Sequence, residues 1–412
     1  MAFAALIAAY QEADEGEAGL RALLPMAGRS LLENQVRRAM SAGASHVVIL
    51  VERVPAALSA AIDRLKRDGI AVNLARDAMA AADHFHPEEH VLLVADGLVA
   101  APDCLEAMAV RVAPTLLVVA DTPENEEFER VDADHRWAGL ALTTVEAVSA
   151  TAAMLGDWDL QSTLMRRIVQ GGADFLPVDG DSGVVMDASE AVVLAEHSAK
   201  SRDAGHSMLA RNSLQTGSWP ERFLFTPVTS RIAPLLLDRR VEAMWLRIAA
   251  IMLTIGGAAA FWWGWLWTGL ILVLIAGPLD SIAARIDLAR LRDHDGGWEA
   301  RFAKGIAQGL AIVALGRFAM LTTGELAYFL TSIVALAILI LANREMNLLR
   351  KSLDEENRFL PWFADGSAAI WLILPFAVSG FWFYWPAAIA IYSAISLFFM
   401  QNMLREAIRR RD

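Results

Sequence analysis

Through its first two hundred residues the chain alternates short apolar runs with segments whose apolar positions recur every three or four residues. The runs 3–9, 46–51, 70–74, 90–95 and 115–120 have the length of buried strands. Between the first two, Leu31, Leu32, Val36 and Met40 share one helical face, while Arg37 and Arg38 stand on the other. Strands alternating with amphipathic helices predict a parallel sheet covered on both faces, an α/β Rossmann-like head over residues 1–200. Residues 201–241 then read as a linker, losing clear periodicity around Gly205, Gly217, Pro220 and Pro227. From residue 242 the apolar runs grow long enough to cross a bilayer, which takes roughly 20 residues. The stretch 248–279 is almost uncharged, with Trp262, Trp263, Trp265 and Trp267 at its centre. It reads as two spans joined by a tight turn at Gly264. About six transmembrane helices follow over 242–412, near 242–262, 265–287, 302–320, 326–343, 367–383 and 386–402, an all-α polytopic membrane domain.

Charge sharpens this division. Residues 1–220 hold 17 Lys and Arg against 32 Asp and Glu, whereas the remainder holds 19 against 16. Nucleic acid is excluded as a partner of so acidic a head, because phosphate neutralisation needs clustered cations. Cys104 stands alone, which excludes a disulfide framework. The apolar stretch 1–10 lacks a basic flank and reads as a first strand, not a signal peptide. Arg285, Arg290, Arg292, Arg301 and Lys304 lie between spans two and three, and Arg344, Arg350, Lys351 and Arg358 between four and five. Arg405, Arg409, Arg410 and Arg411 follow the last span, while the opposite side shows only Arg317. The asymmetry predicts a multi-pass protein of the cytoplasmic membrane with head and C-terminus both cytoplasmic. Trp382 and Trp385 join the four earlier tryptophans as an outer aromatic belt. Gly305 and Gly309 are spaced for close helix packing. The segment 229–241, basic and apolar, suits the bilayer interface, with Pro234 arguing against one regular helix.

Candidate chemistry in the head begins at Leu92-Leu93-Val94-Ala95-Asp96-Gly97, where a strand ends on a carboxylate. Ligands of such sheets bind beyond the carboxyl ends of strands, so Asp96 is either a site residue or part of an Asp-Gly turn. His84, His86 and His90, with Asp83, Glu88 and Glu89, offer metal-ligand types, although Pro87 and an extended polar turn explain them as well. The order of segments resembles the sugar-phosphate and inositol-phosphate nucleotidyltransferases. Leu23-Leu24-Pro25-Met26-Ala27-Gly28-Arg29 is similar to that family's stretch after its nucleotide loop. Trp137-Ala138-Gly139-Leu140 falls at its sugar-side strand, and Val185-Met186-Asp187-Ala188-Ser189-Glu190 at its closing motif. The resemblance implies nucleotide binding by Arg21 and Asp96 and a metal held by Asp96 and Asp187. Two departures stand against it. Glu12, Asp14, Glu15 and Glu17 occupy the loop that would cradle a triphosphate, and Val185 replaces a partner carboxylate.

In the membrane half, Asp280-Ser281-Ile282-Ala283-Ala284-Arg285 resembles part of the CDP-alcohol phosphatidyltransferase signature. A head and body of these two kinds look like the bifunctional synthases that join inositol-phosphate units. The resemblance implies divalent metal, Mg²⁺ or Mn²⁺, on four carboxylates of spans two and three, with Asp280 among the ligands. Here Gly277, Ala300 and Lys304 stand at the other three positions. One expectation is a transferase of polar lipid synthesis acting on a CDP-alcohol through an altered site of Asp280, Arg285 and Glu299. The other is a catalytically inactive, lipid-binding or regulatory partner of a lipid synthase. Membrane lipids are the expected partners in both, and the family's dimers make a homodimer plausible. Lys304 and Arg285 are the expected ion-pair partners of Asp280 if the site is dismantled.

Overall fold

The computed structural model describes residues 3–14, 19–154, 159–178, 191–215, 218–239, 241–289, 297–352 and 362–409. The chain divides into two compact units, Met1–Met208 and Leu209–Asp412.

The first unit is an α/β domain around a seven-stranded sheet: β1 (Phe3–Ala8), β2 (Val47–Leu50), β3 (Val72–Ala75), β4 (His90–Val94), β5 (Thr115–Ala120), β6 (His135–Thr144) and β7 (Asp174–Pro177). Their spatial order is β7-β5-β6-β4-β1-β2-β3. All neighbours are parallel except β6, which runs antiparallel between β4 and β5. The expected all-parallel sheet is therefore mixed. β1 and β4 are buried on both faces, which is why they read as continuous apolar runs. Helices α1 (Leu31–Ser41), α2 (Ala56–Arg67), α3 (Ala78–Ala82), α4 (Pro102–Ala109), α5 (Val145–Ala152) and α6 (Leu160–Gln170) accompany the strands. α1 opens on a capping box. Ser30 Oγ accepts from the Glu33 N–H while the Glu33 carboxylate accepts from the Ser30 N–H. Buried Glu33 is neutralised by Arg64 of α2 at 2.9 Å.

Strand order reverses direction between β1 and β4. Both carboxyl ends thus open on one crevice, the position where sheets of this class take ligands.

The stretch read as a linker is largely helical, because Ala, Arg, Leu, Met and Gln favour helix even without an apolar stripe. It holds α7 (Ser198–Gln215) and α8 (Thr226–Asp238), with a π-turn at Glu221–Phe225 before α8. α8 continues through Pro234. The lost hydrogen bond is outweighed by a buried face of Phe225, Thr229 and Ala233 packed toward the next helices.

The second unit is helical: α9 (Ala243–Trp262), α10 (Leu266–Ala289), α11 (Gly297–Thr323), α12 (Leu326–Ser352), α13 (Gly366–Trp371), α14 (Ile373–Val378) and α15 (Trp385–Arg409). Five helical segments among the described residues are long and apolar enough to cross a membrane: Ala243–Trp262, Leu266–Asp287, Trp298–Thr323, Leu326–Met346 and Trp382–Arg405. The expected fifth span is instead the shorter, interrupted pair α13–α14. Pro375 cannot donate to the Trp371 carbonyl, and the helix breaks between them at Leu372. The chain reverses at Gly264, whose φ is +88°. Arg317 donates to the Trp262 carbonyl at 2.7 Å and stacks over the Trp262 ring, closing the end of α9. Trp262, Trp263, Trp265 and Trp267 are exposed as a belt requires, but Trp385 is not. Its ring is buried and its Nε1 donates to the Ala369 carbonyl. The close approach of α11 and α12 is at Gly316, where a Cβ would clash with Ser332 Oγ. Gly305 meets nothing within 4 Å.

Candidate functional site

In the head, Asp96 sits where β4 ends and is 2 % exposed. Its Oδ2 accepts from the N–H groups of Tyr10 (2.8 Å) and Gln11 (2.7 Å), the residues that follow β1. Its own N–H donates to Gln161 Oε1 at 3.0 Å. Oδ1 is buried with no hydrogen-bond partner among the described residues. Burial raises the Asp96 carboxyl to about 7, against the pull of the Gln11, Tyr10 and Gly97 backbone N–H groups and the charge of Arg21. Gly97 has φ +77°, and a Cβ there would meet the Ala195 carbonyl at 2.9 Å. That position needs glycine. Gln161 Nε2 donates to the Tyr10 hydroxyl, which itself bonds Asp159.

The structure brings Arg21 into this crevice, but not free. Its Nη1 donates to Gln11 Oε1 (3.0 Å), its Nη2 to Glu196 Oε1 (3.3 Å), and its Nε to the Glu12 carbonyl (3.2 Å). Glu12 pairs with Arg53 at 2.6 Å, so this carboxylate of the acidic loop is directed to a guanidinium. Glu15, Glu17, Asp187 and the whole stretch Val185 to Glu190 lie outside the described residues. No group of three or more His, Cys, Asp and Glu side chains among the described residues is placed to hold a metal ion. The histidine cluster is used locally: His46 contacts the His84 carbonyl, and His86 Nδ1 accepts from the Glu88 N–H.

In the membrane unit the decisive pair is Asp280 of α10 and Lys304 of α11. Lys304 Nζ donates to Asp280 Oδ2 at 2.6 Å. Arg247 of α9 lies 3.9 Å from Asp280 Oδ1 and 3.0 Å from Asp287 Oδ2. Arg285 does not reach Asp280. It donates to Thr226 Oγ1 at 3.1 Å. Glu299 stands exposed on the first turn of α11 and does not line the cleft beside Asp280. Gly277, one helical turn before Asp280, is not an empty position. A Cβ there would lie 2.8 Å from Phe225 Cζ and 2.9 Å from Trp371 Nε1, whose rings pack edge to face at 4.8 Å. Glu221, in the π-turn before α8, adds a further carboxyl. Burial, with Asp365 and Asp280 near, raises it to about 7 against the pull of Lys304.

Divalent metal does not fit this arrangement. Two ions on a pyrophosphate need several facing carboxylates with open oxygens. Here Asp280 is bound by the Lys304 ammonium, Gly277 is closed over by aromatic rings, and Ala300 offers no ligand atom. In the head, Asp96 Oδ1 is buried without a hydrogen-bond partner among the described residues, which leaves it open to a cation. Sequence reasoning missed Arg247, Glu221, Tyr10, Asp159 and Gln161. Of these only Arg247 carried a signal, as a charge set within an apolar span.

No protein-family model matches this chain, and no curated protein matches it. Among solved structures it is similar to the inositol-1-phosphate CTP transferase from T. maritima, at TM-score 0.39 and 13% identity, over 50% of this chain and 95% of that one.

Two outcomes test the geometry. Lys304→Met leaves Asp280 without its ammonium. The Lys304 side chain is 35% exposed, so the expected loss is about 1–3 kcal/mol, below the 3–5 of a fully buried pair. Thermal unfolding in detergent reads this, and Lys304→Met with Asp280→Asn should recover most of it. For Asp96, the native carboxyl keeps its proton from the ordinary aspartate value of about 3.9 up to about 7, while the unfolded one loses it. Raising pH across that window therefore favours unfolding. Hydrogen exchange of β1 and β4 peptides in the full chain, corrected for intrinsic rates, should show protection falling with pH, and Asp96→Asn should flatten the slope.

Proposed function

We propose that this chain is a membrane-bound, phosphoalcohol-transferase-like protein of polar lipid synthesis whose transfer site has become a metal-free binding site. It acts as a lipid-binding or regulatory partner of a lipid synthase, without Mg²⁺-dependent transfer from a CDP-alcohol. The observation that carries this reading is Lys304 on Asp280 at 2.6 Å. A tethered ammonium supplies one positive charge where a pair of Mg²⁺ ions would supply four. A transferase working through Asp280, Arg285 and Glu299 is disfavoured by the separation of these three into an ion pair, a bond to Thr226 and an exposed turn.

A second reading keeps a cation or nucleotide function for the head alone. It is favoured by Asp96 Oδ1, buried and unpartnered at the strand-order switch. The bonds of Arg21 to Gln11 and Glu196 weigh against triphosphate binding there.

Lys and Arg asymmetry supports insertion in the cytoplasmic membrane with both ends inside. This requires α13–α14 and its flanks to cross as a sixth segment. Reporters fused after residue 412 should read cytoplasmic and after residue 323 the outer side. An outer reading at the C-terminus would mean that the interrupted segment does not cross.

The functional test is calorimetric and thermal. Purified full chain should show no shift in melting temperature with millimolar Mg²⁺ or Mn²⁺, alone or with a CDP-alcohol. A metal-dependent rise of several degrees, lost in Asp280→Asn, would overturn the metal-free reading. Micromolar CTP binding lost in Asp96→Ala would establish the second one.

A further inference from the structure

We infer that the end of the helical unit where the chain reverses at Gly264, Gly324 and Gly380 takes the quaternary ammonium headgroup of a zwitterionic phospholipid. Its contacts would be the rings of Tyr328, Phe383 and Tyr384 and the carboxylate of Glu325. The inference does not depend on the metal-free reading above. From Lys304 to Thr323 along α11 is roughly 28 Å at the rise of an α-helix, so this end is remote from Asp280.

The helices turn here on aromatic rings. Phe318 of α11 stacks on Trp382 at 4.9 Å, and Tyr328 of α12 meets Phe383 edge to face at 5.7 Å. Phe383 lies 4.5 Å from Tyr384, which returns to Tyr328 at 6.4 Å. Rings from α12 and from the short turn Trp382–Tyr384 therefore form one closed group. Tyr328 and Phe383 are half-buried, whereas Tyr384 is exposed. Anchoring at a bilayer interface accounts for exposed rings at a bundle end. It does not account for a carboxylate among them.

Glu325 stands just before α12, about one turn ahead of Tyr328, close enough for its charge to act on the Tyr328 hydroxyl. Its N–H donates to Thr323 Oγ1 at 3.4 Å. Its carboxylate is exposed and has no ion-pair partner among the described residues. The same end of the unit shows how it holds a cation of its own. The Arg317 guanidinium lies 4.0 Å from the centroid of the Trp262 ring. At Glu325 the negative charge and the ring faces are both present, and the cation is left to a ligand.

The rings decide which cation. A metal ion needs several oxygen ligands, and a primary ammonium has three N–H donors to satisfy. A quaternary ammonium has no donor, so ring faces and one carboxylate suffice to hold it. Five helical segments of this unit are long and apolar enough to cross a membrane, which puts lipid headgroups within reach of a helix end.

The experiment titrates the full chain in maltoside detergent by native mass spectrometry. The probes are dioctanoyl phosphatidylcholine, its neohexyl isostere with carbon in place of the ammonium nitrogen, and dioctanoyl phosphatidylethanolamine. Phosphatidylcholine should bind saturably at one copy per chain and tighter than phosphatidylethanolamine. Its advantage over the isostere, which has the same shape without the positive charge, should be about fivefold, the size of one exposed cation–ring contact. Equimolar choline should not displace it, because the lipid is the source of the headgroup. Glu325→Gln changes an exposed side chain and should bring the choline-to-isostere ratio toward one, as should Tyr384→Leu. Trp267→Leu removes another exposed ring of the unit and should leave the ratio unchanged. The inference is overturned by equal binding of lipid and isostere, tighter phosphatidylethanolamine, or displacement by choline. An unchanged ratio in Glu325→Gln, or the same loss in Trp267→Leu, overturns it as well.

Discussion

The contact of Lys304 with Asp280 sets the terms for the membrane unit. An aspartate set into an apolar helix is costly unless its charge is answered nearby. Here the answer comes from two helices at once, the ammonium of α11 on one oxygen and the Arg247 guanidinium of α9 toward the other. Arg247 also holds Asp287, about two turns further along α10. Acid and base therefore alternate across three helices. Sliding any one of them along its axis would strand a charge. The network fixes register in a way that the uniform apolar faces of these helices do not, since many registers bury similar apolar area.

The head resolves charge by the same means, from within. Arg21 is answered by Gln11, Glu196 and a backbone carbonyl, and the acidic Glu12 by Arg53. Asp96 is the exception. Two backbone donors hold one of its oxygens and nothing described holds the other, so its desolvation is only half offset and its carboxyl stays near neutral pH in affinity for a proton. Asp96 Oδ1 is one of several buried polar atoms without a hydrogen-bond partner among the described residues, and the one that belongs to an acidic group.

Local pattern carried far into this fold. Strands β1, β2, β4 and β5 fall within two residues of the apolar runs that announce them, because strands buried on both faces leave an uninterrupted signal. β6 was visible only in Trp137 to Leu140 and only by resemblance, since its polar ends blur the pattern. Span length was legible, but the interruption of the fifth was not, because Pro375 breaks a helix without changing hydropathy. Asp280 with Lys304 was expected from position along two adjacent helices. Glu221 was not, because its half-buried place comes from the π-turn before α8 and leaves no mark in its neighbours' periodicity. Arg285 illustrates the limit of motif reasoning. It matches a signature position, yet its guanidinium reaches Thr226, a residue far away in sequence that no spacing rule connects to it.

Gly277 shows how closely packing constrains the helix beside Asp280. Phe225 and Trp371 close on the glycine, so that even a Cβ would lie under 3 Å from each. Those rings pack on each other and on the α10 backbone, which makes the glycine a packing requirement. Gly277→Asp would therefore have to displace two aromatic rings and add a negative charge beside Asp280, with one ammonium to answer both.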